Sequence, residues 1–365
     1  ERTGRLARSF LPQIAAQFGQ EELRAGSGAT DQKAYWRIDS TVNLYRGGRD
    51  GLEDQIRSSQ RDLAITISAA EFHTELLEAK RTFWKSIAIS KKIAERKESV
   101  DRNEVNIRSA RRRAGAGIAT TADAAQFEIH KITLQRDLRR LELEQDRLLN
   151  RLSVALAVNE HENIEIVGDF PVIANDQIKP LLTNEQLDVV AHRELSEIDG
   201  LRAKQIGRWL QPKVDLYVSY GLPSLSEDYT RALRGDREWA AGVRVIFDLG
   251  QGIEDRKEAV ARNAAADATR LRGAHKQREI VANDHEIRHD LKVLSELIMA
   301  SDEDVRRAES FLRLTELEYA RGVKNGPDLL EAFQKYFEFR DRRIEYYSDY
   351  FEARSSLEGL IASRV

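Results

Sequence analysis

The five residues His285-Glu286-Ile287-Arg288-His289 have the H-E-x-x-H spacing. On a helix this spacing sets two imidazoles on one face, one turn apart, where they can hold zinc while the glutamate acts as general base on a bound water. That chemistry also needs a third ligand and a cleft, and the sequence offers neither. Ile287 falls in a heptad seam, so the His pair flanks a packed stripe, and Asp284 and Asp290 stand where zinc proteases carry apolar residues. With no cysteines, a thiolate metal site and a disulfide framework are both excluded. His285, Glu286 and His289 therefore read as a chance match, with no catalytic residue, metal or cofactor assigned. Gly115-Ala116-Gly117 follows a helix rather than a strand, so it is not a dinucleotide fingerprint. Arg111-Arg112-Arg113 closes that helix at the end where positive charge is favoured. It reads as a solvated face, with contact to an acidic partner surface as the alternative.

The elements that carry these residues are unusual. One third of the 365 residues are charged, only 6 are Pro, and the mean hydropathy is −0.54. A charged fraction that high calls for long exposed helices rather than compact globular bodies. Lys and Arg (58) nearly balance Asp and Glu (61), so no global basic field points to nucleic acid. No apolar run approaches the roughly 20 residues of a spanning helix, and by composition alone the chain reads as soluble and helical. Residue 1 is Glu, and no signal-like segment follows it, so the chain is expected to begin inside something larger.

An internal repeat organises the chain. Leu11-Pro12-Gln13-Ile14 is matched by Gln211-Pro212-Lys213-Val214, Gly51-Leu52-Glu53-Asp54 by Gly252-Ile253-Glu254-Asp255, and the Gly117–Asp123 spacing by Gly322–Asp328. The first repeat is expected over 1–157, with a hairpin at 11–45, helices at 52–115 and 121–157, and its opening helix missing. A linker follows at 158–183, where Gly168, Pro171 and Pro180 interrupt the pattern. The second repeat covers 184–365, with a helix at 184–209, a hairpin at 212–248 and helices at 253–320 and 327–364. Thr183-Asn184-Glu185-Gln186 reads as a capping box for the first of these.

Strands and helices are distinguished by period. Trp36, Ile38, Val42 and Leu44 alternate with Arg37, Asp39, Thr41 and Asn43. Val214, Leu216, Val218 and Tyr220 alternate with Lys213, Asp215 and Ser219, and Trp239, Ala241, Val243, Val245 and Phe247 share a face. The helices carry four-three seams. One runs Ile65, Ala69, Phe72, Leu76, Ala79, Phe83, Ser86, Ser90 and Ile93, turning polar toward Glu104 and Ile107; another runs Ile287, Leu291, Leu294, Ile298, Ser301, Val305, Ala308 and Leu312. The return helices show Leu134, Leu138, Leu141, Leu148 and Leu152, then Leu330, Phe333, Phe337, Ile344, Tyr347 and Phe351. A helix of some 65 residues spans about 100 Å, which predicts a helical barrel or bundle rather than a globule.

The strands are about ten residues long, enough to cross a bilayer core when tilted. Three of the four Trp lie in or beside them. Trp36, Tyr45, Trp209, Tyr220, Trp239 and Phe247 are the candidates for interfacial girdles. Four strands do not close a barrel, and an open edge in lipid leaves amide groups unsatisfied. Oligomerisation is therefore expected, and three chains give twelve strands. The alternative is a soluble periplasmic coiled-coil scaffold whose hairpins pair with other proteins and never enter lipid.

The order hairpin, long helix, glycine turn, helix, repeated twice, resembles the TolC-type outer-membrane channel proteins of drug efflux and type I secretion. The diagnostic stretches are Ala116-Gly117-Ile118-Ala119-Thr120-Thr121-Ala122-Asp123 and Arg321-Gly322-Val323-Lys324-Asn325-Gly326-Pro327-Asp328-Leu329-Leu330-Glu331-Ala332. They are similar to the family's helix-turn tips, with Ala116 and Arg321 in place of the usual Val. The resemblance implies a mainly α protein with membrane β, a trimer whose 12-stranded barrel is continued by an α-helical barrel. It implies no enzyme activity and a place in the outer membrane of a Gram-negative bacterium, reaching into the periplasm. The implied partners are two further copies, a periplasmic adaptor (membrane fusion) protein and through it an inner-membrane pump, and outer-membrane lipid, with no nucleic acid. At the tips, Gly117, Ile118, Thr120, Asp123, Gly322 and Val323 are implied adaptor contacts. Asp328 and Glu331, three apart on one helix face, become stacked acidic rings under three-fold symmetry, with Lys324 beside them as a latch to a neighbouring helix. The simpler role for Asp123 and Asp328 is to stabilise the helix N-termini they occupy.

Overall fold

The computed structural model describes residues 11–24, 30–117, 121–158, 166–173, 181, 183–226, 238–247 and 252–361, with backbone alone at 20–24, 30–35, 184, 222–226 and 361. Strands β1 (Gln13–Arg24) and β2 (Thr30–Arg46) precede helices α1 (Arg49–Gly115) and α2 (Thr121–Ala155). Helix α3 (Leu187–Ile206), strands β3 (Lys213–Ser226) and β4 (Glu238–Ile246), and helices α4 (Gly252–Arg321) and α5 (Gly326–Ile361) follow. The chain divides into two compact units, 1–67 with 188–276 and 68–187 with 277–365, each drawing on both repeats.

The first unit holds a four-stranded antiparallel sheet in the order β1-β2-β3-β4, so the two hairpins join through β2 and β3. The register places Ile14, Ala16, Phe18, Trp36, Ile38, Val42, Leu216, Val218, Tyr220, Trp239, Ala241, Val243 and Val245 on one face. A bulge corrects the simple alternation. Asn43 pairs with Asp215 but Tyr45 pairs with Val214, leaving Leu44 as the extra residue. Tyr45 therefore takes the apolar-face position that strict alternation gives to Leu44. Beside the sheet, Leu52, Ile56 and Leu63 of α1 pack on Ile198 and Leu201 of α3. Thr66 donates to Glu194 at 2.9 Å. Helix α3 starts at Leu187 after a 3₁₀ turn at Thr183–Glu185. Thr183 Oγ1 accepts from Gln277 at 3.2 Å.

In the second unit the seams of α2, α4 and α5 are buried. Phe127, Leu134, Val305, Leu312, Leu329, Phe333 and Phe337 form one core with Ile107 and Ala110 of α1. A second core joins Leu291, Ile298, Tyr350 and Phe351 with Trp84. The α1 seam differs from expectation. Ile65 is 53 % exposed and Phe72 66 %, with Leu76 and Phe83 also exposed. The most deeply buried α1 residues between Thr66 and Asn103 are small and polar instead: Thr66, Ser86, Ser99 and Asn103 are all at 0 %.

Ion pairs set the antiparallel register of α1 and α5. Lys80 meets Glu358 at 2.7 Å, Lys85 meets Glu352 at 3.2 Å, and Lys92 meets Glu345 and Arg96 meets Asp341, both at 2.7 Å. Arg340 closes the ladder on Glu95 at 3.0 Å and Glu98 at 2.8 Å. Burial pushes the Glu95 carboxyl above its ordinary value, and the Arg340 charge offsets this only in part. Burial likewise raises Asp341. A raised carboxyl binds its proton more tightly in the folded chain, so its contribution to stability grows as pH falls through the raised value and is lost as pH rises. Replacing Arg340 by Met leaves Glu95 buried without its main counter-charge, at a cost of about 3 kcal/mol. Urea midpoints of the variant at pH 7 and pH 5 check this: the deficit should be largest at pH 7 and shrink at pH 5.

Candidate functional site

Two regions place polar groups in patterns that packing alone does not require. The first is the sheet, whose two faces differ in kind. Opposite the apolar face, Gln13, Gln17, Arg37, Asp39, Thr41, Asn43, Lys213, Asp215, Tyr217, Ser219 and Arg244 share the other face by register. Arg37 pairs with Asp39 at 2.8 Å and donates to Gln17 at 3.1 Å. Arg244 lies 4.0 Å from Asp215 and its guanidinium sits 5.6 Å from the Tyr217 ring centre. Of the girdle candidates, Trp239 is 74 % exposed and Phe247 is exposed just beyond β4. Trp36 is half-buried and meets Tyr220 edge-on at 5.8 Å. Tyr45 donates to Gln211 at 2.8 Å. Trp209 lies so close over Gly252 that a Cβ there would come within 2.1 Å of its ring.

The second region is the tips, where α1 turns toward α2 and α4 toward α5. Gly322 sits at φ +82°; its N–H reaches Tyr319 O at 3.1 Å and the Val323 N–H reaches Glu318 O at 3.0 Å. This pair of bonds is a Schellman termination, which needs the left-handed conformation that glycine adopts without strain. Gly117 at φ +72° ends α1 with its N–H on Ala114 O at 3.1 Å, the counterpart of the Gly322 bond to Tyr319. Ile118 and Thr120 lie outside the described residues. Val323 and Lys324 are exposed. Asn325 and Asp328 cap α5 reciprocally: the Asp328 N–H donates to Asn325 Oδ1 at 3.0 Å, and the Asn325 N–H to Asp328 Oδ2 at 3.3 Å. Glu331 is exposed and accepts from Lys335 at 2.6 Å. Asp123 packs over Gly326, where an added Cβ would come within 2.9 Å of the carboxyl carbon.

The arginine run is not a uniformly solvated face. Arg111 bridges to Glu128 of α2, and the Arg113 guanidinium lies 4.2 Å from the ring centre of Tyr319. Nothing in the spacing of Arg113 and Tyr319 announces that contact. Segment 166–173 carries a second unannounced residue. Phe170 stacks within 6.3 Å of Trp84, 5.4 Å of Tyr347 and 5.7 Å of Phe351, while Asp169 binds Lys91 at 2.6 Å. The Lys91 hydrogen bond holds the Asp169 carboxyl below its ordinary value. The only signal in sequence was an aromatic residue inside a Gly/Pro-punctuated linker.

His285, Glu286 and His289 are exposed on α4, while Ile287 packs against the aromatic core of α5. Among the described residues no three His, Asp or Glu side chains stand close enough to hold a metal ion. Asp284 beside the motif is instead held by Arg288 at 2.9 Å.

No family model and no curated protein sequence matches the chain. Solved structures do match. The outer-membrane channel OprN superposes with a TM-score of 0.82 at 13 % identity, over 98 % of this chain and 83 % of that one. The outer membrane protein VceC from Vibrio cholerae gives 0.80 at 13 %, over 98 % and 89 %. The Campylobacter jejuni CmeC outer membrane channel gives 0.81 at 12 %, over 98 % and 78 %. At such identities the likeness is one of fold, and the fold is that of TolC-like outer-membrane channels. The cap at the second tip yields a direct expectation. Asn325→Ala removes one bond of the reciprocal pair and should cost about 1 kcal/mol, confined to the start of α5. Amide exchange there should quicken while that of the Phe333–Phe337 turn stays unchanged.

Proposed function

We propose that the chain is one protomer of an outer-membrane exit duct, serving a tripartite efflux pump or a type I secretion system. It gives passage to substrates and performs no chemistry of its own. In this reading three copies pair β4 of one with β1 of the next, closing twelve strands in the outer membrane of a Gram-negative bacterium. The helices continue the passage into the periplasm, where the tips meet an adaptor and, through it, an inner-membrane pump.

The observation that carries this reading is the sheet. One face is mostly exposed or half-buried apolar and aromatic side chains, interrupted by Ser40, and the other bears paired charges and amides. Among the described residues β1 and β4 each have a strand on one side only. A sheet of that kind suits lipid outside, water inside and a neighbour at each edge. The fold shared with outer-membrane channels agrees with it. That among the described residues no helix is long and apolar enough to cross a membrane says nothing against a β-barrel.

At the narrow end, Asp328 and Glu331 would project acidic rings and Lys324 would lie beside them. Asp328 caps α5 as well, and the two roles are compatible, because one oxygen bonds the Asn325 N–H and the charge remains. Membrane extraction tests the whole: the protein should require detergent and run as a heat-sensitive trimer. A chain that stays soluble and monomeric without detergent leaves the coiled-coil scaffold as the reading. Asp328→Asn with Glu331→Gln tests the rings, since Asn retains an acceptor for the cap. In planar bilayers the cation-to-anion permeability ratio should fall by about half or more. An unchanged ratio removes both residues from the constriction.

A further inference from the structure

The polar face of the sheet carries its charges in balance. Over residues 13–19, 36–46, 213–221 and 238–246 the register places four bases on it, Arg37, Arg46, Lys213 and Arg244, and three acids, Asp39, Asp215 and Glu238. A fourth acid is brought to the same face from the first turn of α1, where Asp50 accepts from the Asn43 side chain at 3.0 Å. In the middle of the sheet opposite charges stand beside one another, while at the end next to α1 the bases Arg46 and Lys213 face each other across β2 and β3. Arg37 holds Asp39 at 2.8 Å on its own strand, and Arg244 faces Asp215 across the β3–β4 pair at 4.0 Å. Between them stand neutral groups: Gln13, Gln17, Thr41, Asn43, Tyr217 and Ser219.

Two fixed charges of opposite sign at such distances act outward as a dipole, whose field fades within one Debye length of about 8 Å at physiological salt. A single unmatched charge on this face has a different effect. Repeated by symmetry, it forms a ring, and rings within low-dielectric walls concentrate ions of the opposite sign. We infer that the β-section of the duct presents a charge-neutral, hydrogen-bonding wall. It admits solutes of either sign and leaves charge preference to other parts of the chain. This rests on the exit-duct reading and adds to it the class of cargo that the β-section admits: polar solutes without selection by charge.

The chain has no cysteine, so one introduced thiol reports its surroundings alone. Thr41→Cys puts it on the polar face, opposite Gln13 and Tyr217; Ile38→Cys puts it on the apolar face, opposite Ala16 and Tyr220. The full chain in lipid vesicles at low salt is treated with membrane-impermeant thiosulfonates, one cationic and one anionic. For Thr41→Cys the ratio of the two rates should match that of a free thiol in solution within about twofold. Adding Asp39→Asn and Asp215→Asn should turn the ratio toward the anionic reagent by about tenfold, and adding Arg37→Gln and Arg244→Gln to these should restore it. If the double-Asn chain does not assemble, Glu238→Gln, exposed at the start of β4, should shift the ratio in the same direction. A parent ratio far from the free thiol's, or one indifferent to loss of the acids, overturns the neutral wall. Ile38→Cys reacting as fast as Thr41→Cys overturns the duct reading itself, whatever the ratio.

Discussion

The unpaired backbone at the two edges of the sheet is the constraint from which the rest follows. Each strand exposes a row of N–H and C=O groups, and in β2 and β3 both sides are satisfied by neighbours. In β1 and β4 one side of each is not satisfied among the described residues. In water such edges are tolerable, but the apolar face between them is not, since Ile14, Phe18, Val243 and Val245 all stand exposed. In lipid the apolar face is accommodated and the edges become costly, at several kcal/mol for each orphaned group. Neither solvent suits the isolated sheet. A neighbouring strand at each edge satisfies those groups and leaves the apolar face to lipid, and this is what the proposed closure by copies of the same chain supplies.

The same incompleteness marks α1, and it explains where sequence and structure part company. A four-three seam reports that a helix face is covered, but not by which chain. The seams of α2, α4 and α5 are covered within the protomer, by one another and by the second half of α1, so Leu134, Leu148, Val305, Leu312, Phe333 and Phe351 are buried as their spacing predicts. The first half of the α1 seam is left bare at Ile65, Phe72 and Leu76. Farther along, the seam residues Ser86, Ile93 and Ile107 are covered, but so are Thr66, Ser99 and Asn103, small polar residues off the seam to which a hydrophobic period is blind. Alternation found the two faces of β2, β3 and β4, because a period of two is tied to the pleat itself. It missed the bulge at Leu44, because an extra residue leaves no compositional trace. The tip glycines were legible through their spacing to Asp123 and Asp328. The contacts of Arg113 with Tyr319 and of Phe170 with its aromatic neighbours were not, because they join residues with no shared period.

Charge serves two separable purposes in this chain. Along α1 and α5 the ion pairs advance by 5, 7 and 4 residues on one helix and by 6, 7 and 4 on the other, from Lys80–Glu358 to Arg96–Asp341. The exposed pairs among these add little stability singly, but in series with the half-buried Arg96–Asp341 pair they penalise any slip of one helix along the other. The ladder ends at Arg340. Beyond it, toward the tip, Glu338 and Glu331 find partners only within α5, in Arg342 and Lys335. There the register passes to the apolar core of Phe127, Leu329, Phe333 and Phe337, and to the two glycine terminations. Glu331 and Glu338 are thus not part of what holds α5 in register, whereas Glu128 still ties α2 to Arg111 of α1 and Asp328 still caps α5. That division leaves the charges of Glu331 and Glu338 free to change with little cost to the fold, whereas the charges of the ladder are committed to the register.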